Sequence, residues 1–136
     1  WIGFNFNTAF NALTLSDLPN YIKYMAEVYE KHQRKISISP NVVYEPEGLE
    51  PSILDDSFAE YVQEAIDLVH SNKHCFVDSE GIGWQRLVSN LDNIKNSLGN
   101  NVSKKPMLKQ MLAYMHNHRE IDIKHNFPLL IEYLKK

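Results

Sequence analysis

Asn5, Asn7, Asn11 and Thr14 place four short polar side chains along and just after the row Phe4, Phe6, Thr8, Phe10. Amides and hydroxyls both donate and accept, so such a set on a strand face, or just past its end, suits sugar hydroxyls and carboxylates. The plainer reading has Asn11 and Thr14 capping a loop, with Asn5 and Asn7 on a polar outer face. The second place is Asn41-Val42-Val43-Tyr44-Glu45-Pro46. There an open backbone ahead of a Pro-Glu-Gly turn can cradle a flat heterocycle through main-chain groups. Glu45 and Glu47 offer an acid and a base, although solvated loop carboxylates are commoner.

Histidines give weaker signals. His70 and His74 stand four apart with Cys75 next, a possible metal-ligand spacing, and His116, His118 and His125 cluster near the C-terminus. Neither set has the paired spacings of a zinc site, so both read as polar residues near helix ends. Cys75 with a neighbouring histidine as base is a conceivable nucleophile, but a lone Cys between His and Phe fits a small core residue better. Gly81-Ile82-Gly83 lacks the third glycine of a phosphate loop and reads as a turn. Asp17, Asp55 and Asp56 read as helix caps, and Met107, Met111 and Met115 as a core stripe.

The elements that must position these residues begin with a strand, a helix and a strand. Over Ile2–Phe10 the period of two puts aromatics on one face and small or amide side chains on the other. Ser16-Asp17-Leu18-Pro19 marks a helix start, with a side-chain oxygen free for an orphan amide and a proline in the first turn. Leu18, Ile22, Met25 and Tyr29 carry that helix to His32, and Ile36–Tyr44 is a second strand. A crossover helix between them requires a parallel pair, expected to be right-handed.

Beyond the loop Glu45–Pro51, Ser52 or Asp55 caps a helix with the stripe Leu54, Phe58, Val62, Ala65, Val69. Lys73–Gly83 reads as a loop. Trp84, Leu87, Val88, Leu91, Ile94 and Leu98 mark a long amphipathic helix stopped by Gly99. Ser103 is expected to cap another, holding Met107 to Met115. His116–Asn126 is polar, and Phe127-Pro128-Leu129-Leu130 opens a last short helix.

With 136 residues, 43 % hydrophobic and 23 % charged, the chain has material for one ordinary globular domain. A net charge of −3 argues against a general nucleic-acid binder, and no apolar run is long enough to span a bilayer. One cysteine excludes an internal disulfide and leans towards a cytoplasmic setting. Trp1, inside a strand pattern and without an initiator Met, points to a piece of a longer protein.

Phe10-Asn11-Ala12-Leu13-Thr14 leading into Leu18-Pro19, followed by Asn41-Val42-Val43-Tyr44-Glu45-Pro46-Glu47-Gly48-Leu49, resembles the late barrel of radical S-adenosylmethionine proteins of the twitch subgroup. His118-Arg119 with Phe127-Pro128-Leu129 is similar to that subgroup's ending, with Leu130 where a glutamate is expected. The resemblance implies an α/β fold, the last two strand–helix units of a partial (β/α)6 TIM-like barrel over residues 1–72, then a helical extension over 73–136. It implies S-adenosylmethionine bound on a [4Fe–4S] cluster and cleaved to a 5′-deoxyadenosyl radical. Asn11 would face the ribose or methionine end, Asn5 and Thr14 the same cofactor side, and Val43 and Tyr44 the adenine. The family's Cys-x3-Cys-x2-Cys cluster loop is absent here, and Cys75 cannot replace three thiolates. The reading from another class is a non-catalytic helical module that docks on a protein partner. On the barrel reading, the isolated chain is expected to self-associate through the free edge of its first strand.

Overall fold

The computed structural model describes residues 3–136, so the expected start of the first strand at Ile2 lies outside the described residues. The chain is α/β, with a small parallel sheet under a largely helical remainder. β1 (Gly3–Phe10) and β2 (Lys35–Val42) pair in parallel, Phe4 opposite Ile36 and Phe10 opposite Val42, and α1 (Leu18–His32) connects them. The second strand ends before Tyr44. Val43 N makes the last strand-to-strand bond, to Phe10 O at 3.0 Å, and the chain then turns so that Leu49 O accepts from Ala12 N at 2.7 Å.

In-register partners on parallel strands share a face. One face therefore carries Phe4, Phe6, Thr8 and Phe10 beside Ile36, Ile38, Pro40 and Val42. Phe10, Ile36 and Ile38 are buried on that side, and the Thr8 hydroxyl is satisfied by Tyr21 Oη at 2.5 Å. The other face carries Asn5, Asn7 and Ala9 beside Ser37, Ser39 and Asn41. Helices cover only the apolar face. Leu18, Ile22 and Met25 of α1 are buried, as their helical spacing requires.

α2 (Ala59–Ser71) packs against α1, and α3 (Gly83–Ser97) against α2 and β2. Leu54, Phe58, Val62, Ala65 and Val69 are all buried, together with Leu87, Leu91 and Ile94. The Lys73–Gly83 stretch is more than a loop. Phe76 forms a parallel bridge to Ile36, and Ile36 N donates to Cys75 O at 2.8 Å. This adds a third parallel position beside β2, reached through α2. One buried Cys-Phe pair is too short to leave an alternation in the sequence.

The C-terminal part consists of α4 (Lys105–Arg119), α5 (Ile123–Asn126) and α6 (Pro128–Lys135). The stretch His116–Asn126 is polar and largely exposed, as expected, and mostly helical. Tyr133 of α6 reaches back to the core, its hydroxyl donating to Ile53 O at 2.6 Å.

Several expected caps are not used. Asp17 and Ser103 cap no helix through their side chains, because α1 and α4 each grow out of a 3-10 turn, Leu15–Asp17 and Val102–Lys104, whose backbone bonds already fill that role. Asp17 accepts from Asn20 Nδ2 instead, at 2.8 Å. Asp55, not Ser52, supplies the cap before α2, accepting from Ser57 N at 3.0 Å. Ser52 is buried and accepts from Asn101 Nδ2 at 2.8 Å. Met107 and Met111 are only half-buried, since Leu108 and Leu112 take the inward side of α4.

Candidate functional site

The apolar alternation of β1 and β2 forces their other face outwards, and there Asn5, Asn7, Ser37, Ser39 and Asn41 form a patch of neutral donors and acceptors. Its internal bonds are long: Ser39 Oγ donates to Asn5 Oδ1 at 3.4 Å, and Asn41 Nδ2 to Ser39 O at 3.4 Å. The patch is therefore weakly committed to itself, and its groups can exchange these contacts for a polar ligand.

Asn11 and Thr14 close the same sheet end as a compact turn. Asn11 Oδ1 accepts from Leu13 N at 2.9 Å, Thr14 Oγ1 accepts from Asn11 N at 3.3 Å, and Thr14 N donates to Asn11 O at 3.1 Å. The loop-capping role is thus realised for both residues, while Asn5 and Asn7 hold the exposed sheet positions. Val43 joins Asn11 at this end, but its amide is spent on Phe10 O. Its carbonyl is the main-chain group left to consider for a heterocycle.

Tyr44 goes elsewhere. It is 68 % exposed and lines a cleft of about 200 Å³ with Val42, Pro51, Ser52, with Asn93 and Ser97 of the C-terminal half of α3, and with Asn101 beyond that helix. Four of the five expected residues, Asn5, Asn11, Thr14 and Val43, lie along the polar face or its strand-end rim; Tyr44 overhangs this separate cleft. Sequence reasoning passed over Ser37 and Ser39, although the alternation Ile36-Ser37-Ile38-Ser39 carried the signal. It also passed over the cleft amides, which no local pattern announces.

The loop carboxylates separate into two kinds. Glu45 and Glu47 are exposed. Glu50 is buried: its Oε2 accepts from Gly48 N at 3.1 Å and its Oε1 from Lys104 Nζ at 2.8 Å. Burial alone would push the Glu50 carboxyl up, but the bonds from Lys104 and Gly48 together hold it below its usual value. That group fastens the loop under the strand ends and is not free for proton transfer.

Asp78 closes the Gly81-Ile82-Gly83 turn, its Oδ1 accepting from Glu80 N and Ile82 N, both at 3.0 Å, and its Oδ2 from Arg86 at 3.1 Å. Cys75 is fully buried, and burial followed by the nearby Glu30 carboxylate pushes its thiol up to about 11. A thiol so protonated at neutral pH is a poor nucleophile. His70 packs against Trp84 and His118 against Tyr114. His116 Nδ1 lies 3.1 Å from Ile121 O.

No helix is long and apolar enough to cross a membrane among the described residues. No known family model, characterised protein or solved structure matches the chain.

Proposed function

We propose that this chain is the C-terminal part of a radical S-adenosylmethionine enzyme of the twitch type, forming one wall of the cofactor site. The observation that carries the reading is the sheet: parallel positions in the sequential order β1, β2, Phe76, with helices on the apolar face and amides and hydroxyls on the other. A partial (β/α)6 barrel built from such units turns the helix-covered face outwards and the polar face towards the lumen. Functional groups in barrels of this kind gather at the carboxyl ends of the strands, where Asn11, Thr14 and Val43 stand.

The donor set fits S-adenosylmethionine, whose carboxylate, ammonium and ribose hydroxyls all call for hydrogen-bond donors and acceptors. Asn5, Asn7, Ser37, Ser39 and Asn41 would hold its polar groups, Asn11 Nδ2 would reach the ribose or methionine end, and the Val43 carbonyl would accept from adenine. When bound and given one electron by a reduced cluster held outside these residues, the cofactor would supply radical chemistry to the site. The iron–sulfur cluster does not fit this chain, which has a single cysteine where three thiolates are needed. Three cluster thiolates would come from polypeptide outside these residues. What these residues do is bind, orient and shield the cofactor from water.

A second reading rests on the groove of about 370 Å³ lined by Leu112, Ala113, Ile123, Ile131 and Leu134 and flanked by Lys109 and Lys135. It favours a helical module that docks an acidic amphipathic segment. One experiment separates the two. The chain is expressed within its parent reading frame, reconstituted anaerobically with iron and sulfide, and titrated with S-adenosylmethionine by calorimetry. The enzyme reading expects a brown protein that binds the cofactor and loses affinity in Asn5→Ala and Asn7→Ala variants. A parent frame without a Cys-x3-Cys-x2-Cys loop, or wild-type affinity in both variants, sinks it.

A further inference from the structure

Glu30, His74 and Cys75 lie away from the strand-end site and come from two separate elements. Glu30 stands in the last turns of α1, while His74 and Cys75 belong to the turn between α2 and Phe76. His74 Nε2 lies 3.4 Å from Cys75 Sγ and 3.5 Å from Glu30 Oε1, and all three ligand atoms fall within 4.8 Å of one another. Both sulfur and carboxylate therefore converge on one ring nitrogen. That nitrogen carries at most one proton, which cannot point well at two partners so far apart.

A cation at the shared focus satisfies all three groups at once. Tetrahedral zinc, with Zn–S about 2.3 Å and Zn–N about 2.0–2.1 Å, sets sulfur and nitrogen ligands about 3.5 Å apart and nitrogen and oxygen ligands about 3.4 Å apart. The spacing already present is close to both edges. The framework is also fixed. The Tyr29 ring stands edge-on to the His74 ring at 5.4 Å, and the Cys75 backbone is held by Cys75 N to Asn72 O at 2.9 Å and by Ile36 N to Cys75 O. His74 and Glu30 side chains are 59 % and 65 % exposed, so an ion has a path from solvent.

We propose that Glu30, His74 and Cys75 form a three-ligand site for a tetrahedral divalent cation of the zinc class, with a water in the fourth position. On binding, the Cys75 thiol releases its proton to solvent and its sulfur bonds to the metal as a thiolate. The site lies by the start of β2, at the opposite end of the sheet from Asn11 and Val43, and joins α1 to the Cys75–Phe76 turn.

The test uses cobalt(II) as a spectroscopic stand-in, added to the purified protein in reducing, metal-free buffer. One equivalent is expected to give tetrahedral d–d bands and a thiolate-to-cobalt charge-transfer band, both lost on adding one equivalent of zinc. Cys75→Ser removes the charge-transfer band. Because Cys75 is buried and its variant can fail to fold, the exposed ligands carry the test independently. His74→Ala and Glu30→Gln should each weaken cobalt binding by about tenfold or more at an unchanged circular-dichroism spectrum, while His118→Ala leaves it unaltered. No charge-transfer band in the folded wild-type protein, or equal affinity in His74→Ala and wild type, overturns the proposal.

Discussion

Glu50 and Lys104, 54 positions apart, meet through a 2.8 Å bond from Lys104 Nζ to Glu50 Oε1. The pair ties the entry to α4 to the loop below the strand ends, with the acid buried and the base half-buried. Glu50→Gln keeps the shape but loses the charge on one strong bond. Its expected cost is about 1–2 kcal/mol, read from urea midpoints at unchanged m-value.

Acid should loosen the fold for the same reason. Glu50 and Asp78 both have carboxyls held below their usual values in the folded chain, against the push of burial. In the acid range the unfolded state therefore binds more protons than the native state. The stabilisation is fully present above the unfolded-state values and is lost as pH falls through the folded ones. Urea midpoints should decline below about pH 4.5, and less steeply in Glu50→Gln.

Asn11 and Asn5 should part company when each is changed to alanine. Asn11 Oδ1 accepts from Leu13 N, so its loss opens the turn and should cost about 1 kcal/mol of stability without any ligand present. Asn5 makes only a long surface contact, and its variant should melt within error of wild type. Thermal denaturation followed by circular dichroism checks both. An unchanged midpoint in Asn11→Ala would show that the turn does not depend on its amide.

Gly48 has little tolerance for a side chain. Its φ of 101° lies where L-residues are strained, and an added Cβ would sit 3.1 Å from the backbone carbon of Met107. Gly48→Ala should cost about 1–3 kcal/mol by shifting the loop against α4. Gly99, also at positive φ but with open space around a Cβ, should lose less, about 1 kcal/mol. Equal losses at the two sites, measured by urea denaturation, would mean that contact with Met107 adds nothing.

Tyr133→Phe removes a buried donor and leaves Ile53 O, which its hydroxyl now meets at 2.6 Å, short of a partner. The expected loss is about 1–2 kcal/mol. Faster amide exchange in α6 than in α2 would confirm that the hydroxyl fastens the C-terminal helix.

Periodicity by itself determined the two strands, the helix between them and their parallel pairing. Phe4-Phe6-Thr8-Phe10 and Ile36-Ile38 repeat every second residue, while Leu18-Ile22-Met25 repeats every turn, and each period names the face that packs inwards, with Phe4 at the open end of its row left exposed. The same alternation made Asn5 and Asn7 legible as one polar row. Tertiary structure decided everything carried by a single residue or by distant partners. Phe76 became a third parallel position through one bridge, which has no period to read. Tyr44 left the strand because the chain must turn to bring Leu49 O onto Ala12 N. Glu30 met His74 and Cys75 only because α1 and α2 pack side by side, setting residues 44 positions apart within ligand distance. Local sequence fixes which face of an element is apolar, whereas the meeting of side chains from separate elements follows from how those faces pack.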